Sequence, residues 1–149
     1  MEAVILAVGR ARGGPEADLT ADWLERFGRV GRPLALGPGR LVEVDDRRAR
    51  GAEGEAERLL AALPEGAVLV ALDERGRCLD SPGFAARLAA WRDEGRPAAA
   101  FAIGGADGHG AALRERADLM LSFGPMVWPH LLARAMLAEQ LYRAATILA

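Results

Sequence analysis

The sequence predicts an α/β fold in which helices cover both faces of a mostly parallel sheet. Short aliphatic segments alternate with longer segments of helical periodicity, which is the order of β-α-β units. The short segments are apolar at nearly every position, as is typical of strands buried on both faces of a parallel sheet. No shift in composition marks a linker, so we expect residues 1–149 to form a single domain.

Five aliphatic segments are predicted strands, and turn residues mark some of their ends. Residues 64–66 (Pro-Glu-Gly) lead into the third segment, and Gly104 and Gly105 follow the fourth. The predicted strands span residues 3–8, 41–44, 67–72, 98–103 and 119–123.

Helices are predicted between these strands and at the end of the chain. In the first, apolar residues recur at i, i+4, i+5 and i+8 from Leu19. The third begins with Ser81 as the expected N-cap and Pro82 at the first helical position. The predicted helices span residues 18–30, 53–63, 81–94, 109–117 and 129–148.

Composition excludes several classes of protein. The chain of 149 residues holds one cysteine and two histidines, too few for a disulfide framework or a multi-thiolate zinc site, and we expect no metal. All 19 basic residues are arginine, which excludes chemistry that needs a lysine amine. The net charge of −2 argues against holding nucleic acid mainly by bulk electrostatics.

Neither a targeting signal nor a membrane span is predicted. The apolar stretch at residues 3–8 is short and follows the acidic Glu2. No segment approaches the roughly 18 uninterrupted apolar residues of a transmembrane helix. We therefore expect a cytoplasmic protein that does not enter a membrane.

Three predicted strand ends are candidates for a ligand site, because ligands of open α/β sheets bind at the carboxyl ends of strands. They are Leu72-Asp73, the glycine-rich residues 104–108 and residues 123–128. Three glycines within 104–108 allow a close approach of main chain to a ligand, although a tight strand-to-helix turn would need them too. Residues 123–128 carry no polar side chain. They could bind a flat aromatic group through main-chain N–H and C=O groups, or they could form a buried crossover whose side chains fill the core. We expect an uncharged pocket lined by main chain.

The last predicted helix carries the candidate polar groups. His130 and Arg134 lie one turn apart on one side, and Glu139 and Arg143 form an i,i+4 couple on roughly the opposite side. His130 could equally be a helix-entry residue, and the Glu139–Arg143 couple an intrahelical ion pair. Because the helix is apolar nearly all round, we expect it to be buried by its own sheet and by a second subunit. Elsewhere, Cys78 is expected to be reduced and structural, and His109 solvated.

Several segments together resemble one family. They are residues 1–9, Val-Ala-Leu-Asp-Glu-Arg-Gly at 70–76, Phe-Ala-Ile-Gly-Gly-x-x-Gly at 101–108, and Leu-Ser-Phe at 121–123 followed by Met126 and Pro129-His130. The run Glu-Gln-Leu-Tyr-Arg-Ala at 139–144 is the most specific of them. In order and over nearly the whole length, the chain resembles the ribosomal RNA large subunit methyltransferase H family of the SPOUT superfamily.

The resemblance implies a C-terminal trefoil knot, which general rules of chain topology would exclude, and a homodimer. It implies S-adenosyl-L-methionine as cofactor and N3 of a pseudouridine in 23S rRNA, within the assembled 70S ribosome, as the methylated atom. Cofactor positions carried over by residue are Leu72, Gly104, Phe123, Gly124, Pro125, Met126, Val127 and Trp128.

The chemistry of the reaction suggests which residues face the substrate. The N3 imide must lose its proton, so a base or a water relay is expected, and cationic groups would stabilise developing charge. The candidates are His130 as base or hydrogen-bond partner, Arg134 for phosphate or a base carbonyl, and Glu139 and Tyr142. Exposed arginines are expected to contact RNA, among them Arg10, Arg12, Arg114 and Arg116.

The sequence departs from the family at its end. Family members carry a Pro-Tyr-His-Arg or Pro-Tyr-His-Lys tail after the last helix, whereas this sequence ends in Ile-Leu-Ala at 147–149. This departure favours one alternative to the rRNA methyltransferase, a catalytically impaired dimeric module that binds S-adenosylmethionine without the substrate-binding tail. A methyltransferase of the same superfamily acting on tRNA is a further alternative.

Overall fold

The computed structural model describes residues 1–45 and 51–149. Within them, strands and helices alternate as predicted, and a short 3-10 turn at Arg32–Leu34 follows the first helix. The elements are β1 (Glu2–Val8), α1 (Pro15–Gly31), β2 (Gly39–Val44), α2 (Gly51–Ala61), β3 (Val68–Cys78), α3 (Ser81–Asp93), β4 (Ala98–Ile103), α4 (Ala111–Arg116), β5 (Leu119–Ser122) and α5 (His130–Leu148).

The five strands form one sheet in the order β2-β1-β4-β3-β5, and every adjacent pair is parallel. The predicted parallel α/β fold is therefore confirmed. All five carboxyl ends meet at one edge of the sheet, with β3 between β4 and β5. The trefoil knot stays a prediction.

Helices cover both faces of the sheet, as expected from strands that are mostly apolar on both faces. Successive residues of a strand point to opposite faces. In β1, Ala3, Ile5 and Ala7 belong to the core shared with α1, α3 and α5. Val4 and Leu6 belong to a second core, with α2 and α4.

Two local predictions at β3 and α3 are wrong. The third strand does not end at residue 72: after a bulge between Leu72 and Arg77 it pairs again with β5. Gly76 permits this, since a Cβ there would lie 2.7 Å from the carbonyl carbon of Met120. The N-cap of α3 is Asp80 instead of Ser81, because the Asp80 carboxylate accepts a hydrogen bond from the N–H of Gly83 at 2.7 Å.

The apolar circumference of α5 is explained within one subunit. This helix packs against α1 on one side and α3 on the other, as well as against the sheet. Much of its burial thus arises within one subunit, and the second subunit expected from the polarity of the helix stays a prediction. Among the described residues, no helix is long and apolar enough to cross a membrane.

Candidate functional site

A cavity of about 390 Å³ opens at the carboxyl ends of β3, β4 and β5. Its wall contains one predicted position from each of the first two strand ends, Leu72 and Gly104, and most of the segment after β5. Pro125 belongs to that segment but lies outside the set of residues that line the cavity. The predicted cofactor positions in the wall are Leu72, Gly104, Phe123, Gly124, Met126, Val127 and Trp128.

The glycine-rich loop after β4 and the start of α4 are held by two carboxylates in the N-terminal half of α2. The N–H of Gly105 donates to the carboxylate of Glu55 at 3.1 Å, and the N–H of Ala111 donates to Glu53 at 3.0 Å. At least one of the N–H groups expected to face a ligand is thus used inside the protein. The sequence signal for this was a pair of acidic residues near the start of a predicted helix, which could not be connected with the loop from sequence alone.

The segment after β5 projects apolar side chains outward. Ser122 fixes its beginning, because the Oγ lies 3.0 Å from the N–H and from the carbonyl oxygen of Gly124. Met126 and Val127 are 73% and 80% exposed, and Trp128 is 40% exposed. A buried crossover would bury these side chains, so that interpretation of the segment is wrong. Consecutive exposed apolar residues beside a cavity indicate a surface that a ligand or partner covers.

The pocket is not uncharged, contrary to expectation. Asp73, Glu74 and Asp107 line it together with Arg75 and Arg114. Burial of the Asp73 carboxyl works to raise its pKa, but a hydrogen bond from the N–H of Arg75 and the charge of Arg114 outweigh it, so the pKa is lowered. Asp73 therefore stays ionised, and the pocket offers both signs of charge.

His109 is buried in the wall of the same pocket, so the expectation that it is solvated is wrong. Its residue is 7% exposed, and Nε2 lies 2.9 Å from the carbonyl oxygen of Leu72. Burial lowers the pKa of His109, and the charge of Arg114 adds to this, although the Leu72 carbonyl and Asp73 oppose it. The imidazole is accordingly neutral at physiological pH. Sequence reasoning missed its role because a histidine among glycines carries no signal of burial.

Of the four predicted substrate-side residues, only His130 lines this cavity. Arg134, one turn further along α5, is 2% exposed and points to the ends of β1 and β2. It donates to Glu43 at 2.7 Å and to the carbonyl oxygens of Val8 and Gly9 at 3.1 and 2.9 Å. Burial works to raise the pKa of Glu43, but the N–H of Ala11 and the guanidinium of Arg134 outweigh it and lower this pKa.

Glu139 and Tyr142 lie on another side of α5. Glu139 lines a groove of about 770 Å³ between α1, α3 and α5, and it forms the expected intrahelical ion pair with Arg143 at 2.5 Å. Tyr142 packs on Trp23 of α1, with ring centroids 5.1 Å apart. Leu121, Phe123 and Gly124 line both the groove and the pocket, so the end of β5 separates the two cavities.

The expected RNA-contacting arginines divide into two groups. Arg114 and Arg116 are bound within the subunit, to Asp73 and Asp118 respectively. Arg10 and Arg12 are exposed in the loop after β1. Among residues 1–45 and 51–149, no cluster of three or more histidine, cysteine or acidic side chains could hold a metal ion.

Comparison with known proteins points to one family. A family described as "Predicted SPOUT methyltransferase" matches residues 1–149. The chain is 60% identical to ribosomal RNA large subunit methyltransferase H of Dinoroseobacter shibae and 62% identical to that of Cereibacter sphaeroides, in each case over 100% of the chain and 96% of the relative. A solved structure of the SpoU methyltransferase AviRb from Streptomyces viridochromogenes, in complex with AdoMet, has a TM-score of 0.42 at 18% identity, covering 95% of this chain and 56% of that one.

Proposed function

Because the chain belongs to the SPOUT methyltransferase family, we propose that it transfers a methyl group from S-adenosylmethionine to N3 of a pseudouridine in 23S rRNA. The observation that carries this proposal is identity of about 60% over the whole chain to relatives named ribosomal RNA large subunit methyltransferase H. The same relatives do not favour a non-catalytic binding module. We propose that residues 1–149 work as one domain, and that the substrate is the 70S ribosome in the cytoplasm.

The pocket at the ends of β3, β4 and β5 fits this cofactor. A cavity of about 390 Å³ lies within the range of small-molecule sites. Main chain at Leu72 and Gly104 and the apolar residues 123–128 suit a purine nucleoside. The mixed charges of Asp73, Glu74, Arg75 and Arg114 suit the ammonium and carboxylate of an amino acid. When bound, the cofactor supplies an electrophilic methyl group on a sulfonium.

The protein's own contribution is alignment and removal of one proton. Methyl transfer is an in-line displacement, so the enzyme must hold nucleophile, methyl and sulfur in a row. The imide N3 carries a proton at neutral pH and must lose it before or during the attack. His130 is exposed at the mouth of the pocket, where a base could reach substrate from outside. We assign it the role of base or hydrogen-bond partner.

Arg134 takes a different role from the one that the sequence suggests. Its terminal nitrogens are bound to Glu43 and to the end of β1, and the side chain is buried. It therefore holds the first turns of α5, and His130 with them, against the sheet. Arg10 and Arg12 are exposed in the loop after β1, which is held by the hydrogen bond from Ala11 to Glu43. They are better placed than Arg134 to contact RNA phosphate groups.

We further propose that two copies associate through the groove between α1, α3 and α5. Its wall includes Leu19, which is 45% exposed, together with Trp23, Leu132 and Met136. Apolar surface of this kind is normally covered. Glu139 lines the groove rather than its own subunit's pocket, so any contact it makes with substrate would be at the pocket of the second copy.

The experiment is transfer of radiolabelled methyl from S-adenosylmethionine to 70S ribosomes that lack the modification. Free 23S rRNA and tRNA serve as parallel substrates. We expect label in the 23S rRNA of intact ribosomes, at N3 of a pseudouridine by mass spectrometry. Label in tRNA alone would support the tRNA alternative, and absence of label from every substrate would contradict the proposed reaction.

A further inference from the structure

The residues that follow the glycine-rich loop are tied to β3 by two contacts, to the adjacent residues Leu72 and Asp73 at the start of its bulge. The Nε2 of His109 lies 2.9 Å from the carbonyl oxygen of Leu72. Nη2 of Arg114 lies 3.0 Å from the carboxylate of Asp73. Arg114 also donates from Nε to the carbonyl oxygen of His109 at 3.1 Å, which closes a ring of contacts. We call these four residues the β3–α4 bracket.

The bracket begins where the sheet ladder between β3 and β4 ends. The last paired residues of these strands are Ala71 and Ala102. Leu72 lies one residue beyond that pair and Gly104 two residues beyond it, and both line the pocket. Beyond the ladder, the bracket joins Leu72 and Asp73, on the β3 side of the pocket, to the residues that follow β4.

The hydrogen bond fixes the tautomer of His109. A carbonyl oxygen only accepts, so Nε2 carries the proton and donates it to Leu72, while the neutral ring leaves Nδ1 bare. Among the described residues Nδ1 has no hydrogen-bond partner, and it is buried. A Cβ added to Gly104 would lie 3.2 Å from it, so the ring underlies Gly104 as well. One imidazole thus touches two walls of the pocket.

We propose that His109 is a positioning residue that sets the spacing of the cofactor pocket, by holding the Leu72 carbonyl through Nε2–H and supporting Gly104 with its ring. The proposal rests on the proposed function, since the ligand is the methyl donor. Nε2 of His109 is engaged by Leu72 and Nδ1 is buried, so His109 acts on the cofactor through the main chain of Leu72 and Gly104. A residue that only stabilised the fold would leave cofactor affinity unchanged when its own hydrogen bond is lost.

Two amide substitutions separate these roles. The side-chain nitrogen of His109→Gln can reach the place of Nε2, whereas that of His109→Asn reaches only the place of Nδ1. We measure the Kd of S-adenosylhomocysteine by calorimetry, the Tm, and the KM and kcat for methyl transfer. We expect the Gln variant to bind within about three-fold of the unmodified protein and the Asn variant about ten-fold more weakly, a loss of about 1.4 kcal/mol. KM for the cofactor should rise while kcat at saturating cofactor stays the same.

The outcomes are distinct. Equal affinity of the two variants, whether retained or lost, overturns the proposal for His109 while leaving the proposed function intact. Failure of the unmodified protein to bind S-adenosylhomocysteine removes the proposed function and this inference with it. If the Asn variant does not fold, Arg114→Lys tests the same bracket. A lysine ammonium cannot donate to the Asp73 carboxylate and the His109 carbonyl oxygen at once with the geometry of a guanidinium, so the contacts of residue 114 are weakened. Unchanged Kd in that variant likewise overturns the proposal.

Discussion

The guanidinium of Arg134 binds the carboxylate of Glu43 across 91 residues of chain, with 2.7 Å between Nη1 and Oε2. This pair joins the start of α5 to the end of β2, and the bond from Ala11 to the same carboxylate oxygen includes the loop after β1. The start of α5, the end of β2 and the loop after β1 are therefore fixed to one another by one largely buried ion pair.

Replacement of Arg134 by Met should destabilise the protein strongly. It would leave Glu43 without its cation and the carbonyl oxygens of Val8 and Gly9 without their donor. We expect a loss of about 3 kcal/mol in the free energy of unfolding, measured by urea denaturation. The matched control is Arg143→Met on the same helix. Its ion pair with Glu139 is exposed on the arginine side and screened by solvent, so its loss should leave the free energy of unfolding nearly unchanged. Similar losses in both variants would contradict a structural role for Arg134.

The buried His109 predicts a dependence of stability on pH. Burial lowers its pKa in the folded protein below the ordinary value of about 6.5, so the unfolded chain binds the proton more readily. Its contribution is therefore fully present above pH 6.5 and is lost as the pH falls toward the folded pKa. One proton limits the slope to about 1.4 kcal/mol per pH unit.

The measurement is urea denaturation between pH 5 and pH 8, above the range in which Asp73 and Glu43 titrate. Asp73 on β3 and Arg114 on α4 are the charged groups that face the ring. His109→Gln should flatten the dependence, whereas His130→Ala, which removes the only other histidine, should retain it. A dependence that disappears with His130 and persists without His109 would refute this assignment.

Much of the fold could be predicted because burial of a parallel sheet leaves a clear pattern. Residues 98–103 are aliphatic or aromatic without exception, and the observed strand β4 has the predicted bounds. The extension of β3 could not be predicted in this way, because the charged residues 73–77 resemble a loop. The renewed pairing with β5, at Arg77 and Cys78, depends on the close approach that Gly76 allows.

The position of the site could be predicted from the ends of the strands, whereas the hydrogen-bond partners of its buried side chains could not. The rule that ligands bind at carboxyl ends of parallel strands brought Leu72, Gly104 and residues 123–128 to one cavity. Helical spacing placed Arg134 near His130, but could not show that Glu43, far away in sequence, binds it. Likewise, nothing in the local sequence indicated that His109 is buried and forms a hydrogen bond with the carbonyl oxygen of Leu72.

The proposed association through the groove predicts a monomeric variant. Leu19→Glu places a charge on the apolar wall, and burying it between two copies would be costly. We expect the unmodified protein to sediment as a dimer at micromolar concentration and this variant as a monomer with unchanged circular dichroism. Ile147→Glu is the matched control, because Ile147 is 44% exposed and lies outside the residues that line the groove. A monomeric unmodified protein, or a dimeric Leu19→Glu variant, would show that the groove is not the interface.

Removal of the His130 side chain should slow the methyl-transfer step. A positioned base contributes about 10²- to 10⁴-fold, so His130→Ala should lower the single-turnover rate on ribosomes at least about 100-fold at saturating cofactor. The Kd of S-adenosylhomocysteine, measured in parallel, shows whether the loss arises in cofactor binding. An unchanged single-turnover rate would remove His130 from the reaction.

The central claim is that the cavity at the ends of β3, β4 and β5 holds the methyl donor. Calorimetric titration with S-adenosylhomocysteine, on the unmodified protein and on Gly104→Val, tests it most directly. A Cβ at Gly104 would already lie 3.1 Å from the carbonyl oxygen of Gly108, so valine must displace the loop. We predict saturable binding to the unmodified protein and affinity at least about ten-fold weaker in the variant, a difference of about 1.4 kcal/mol. Absence of saturable binding, or equal affinity in both proteins, would contradict the claim.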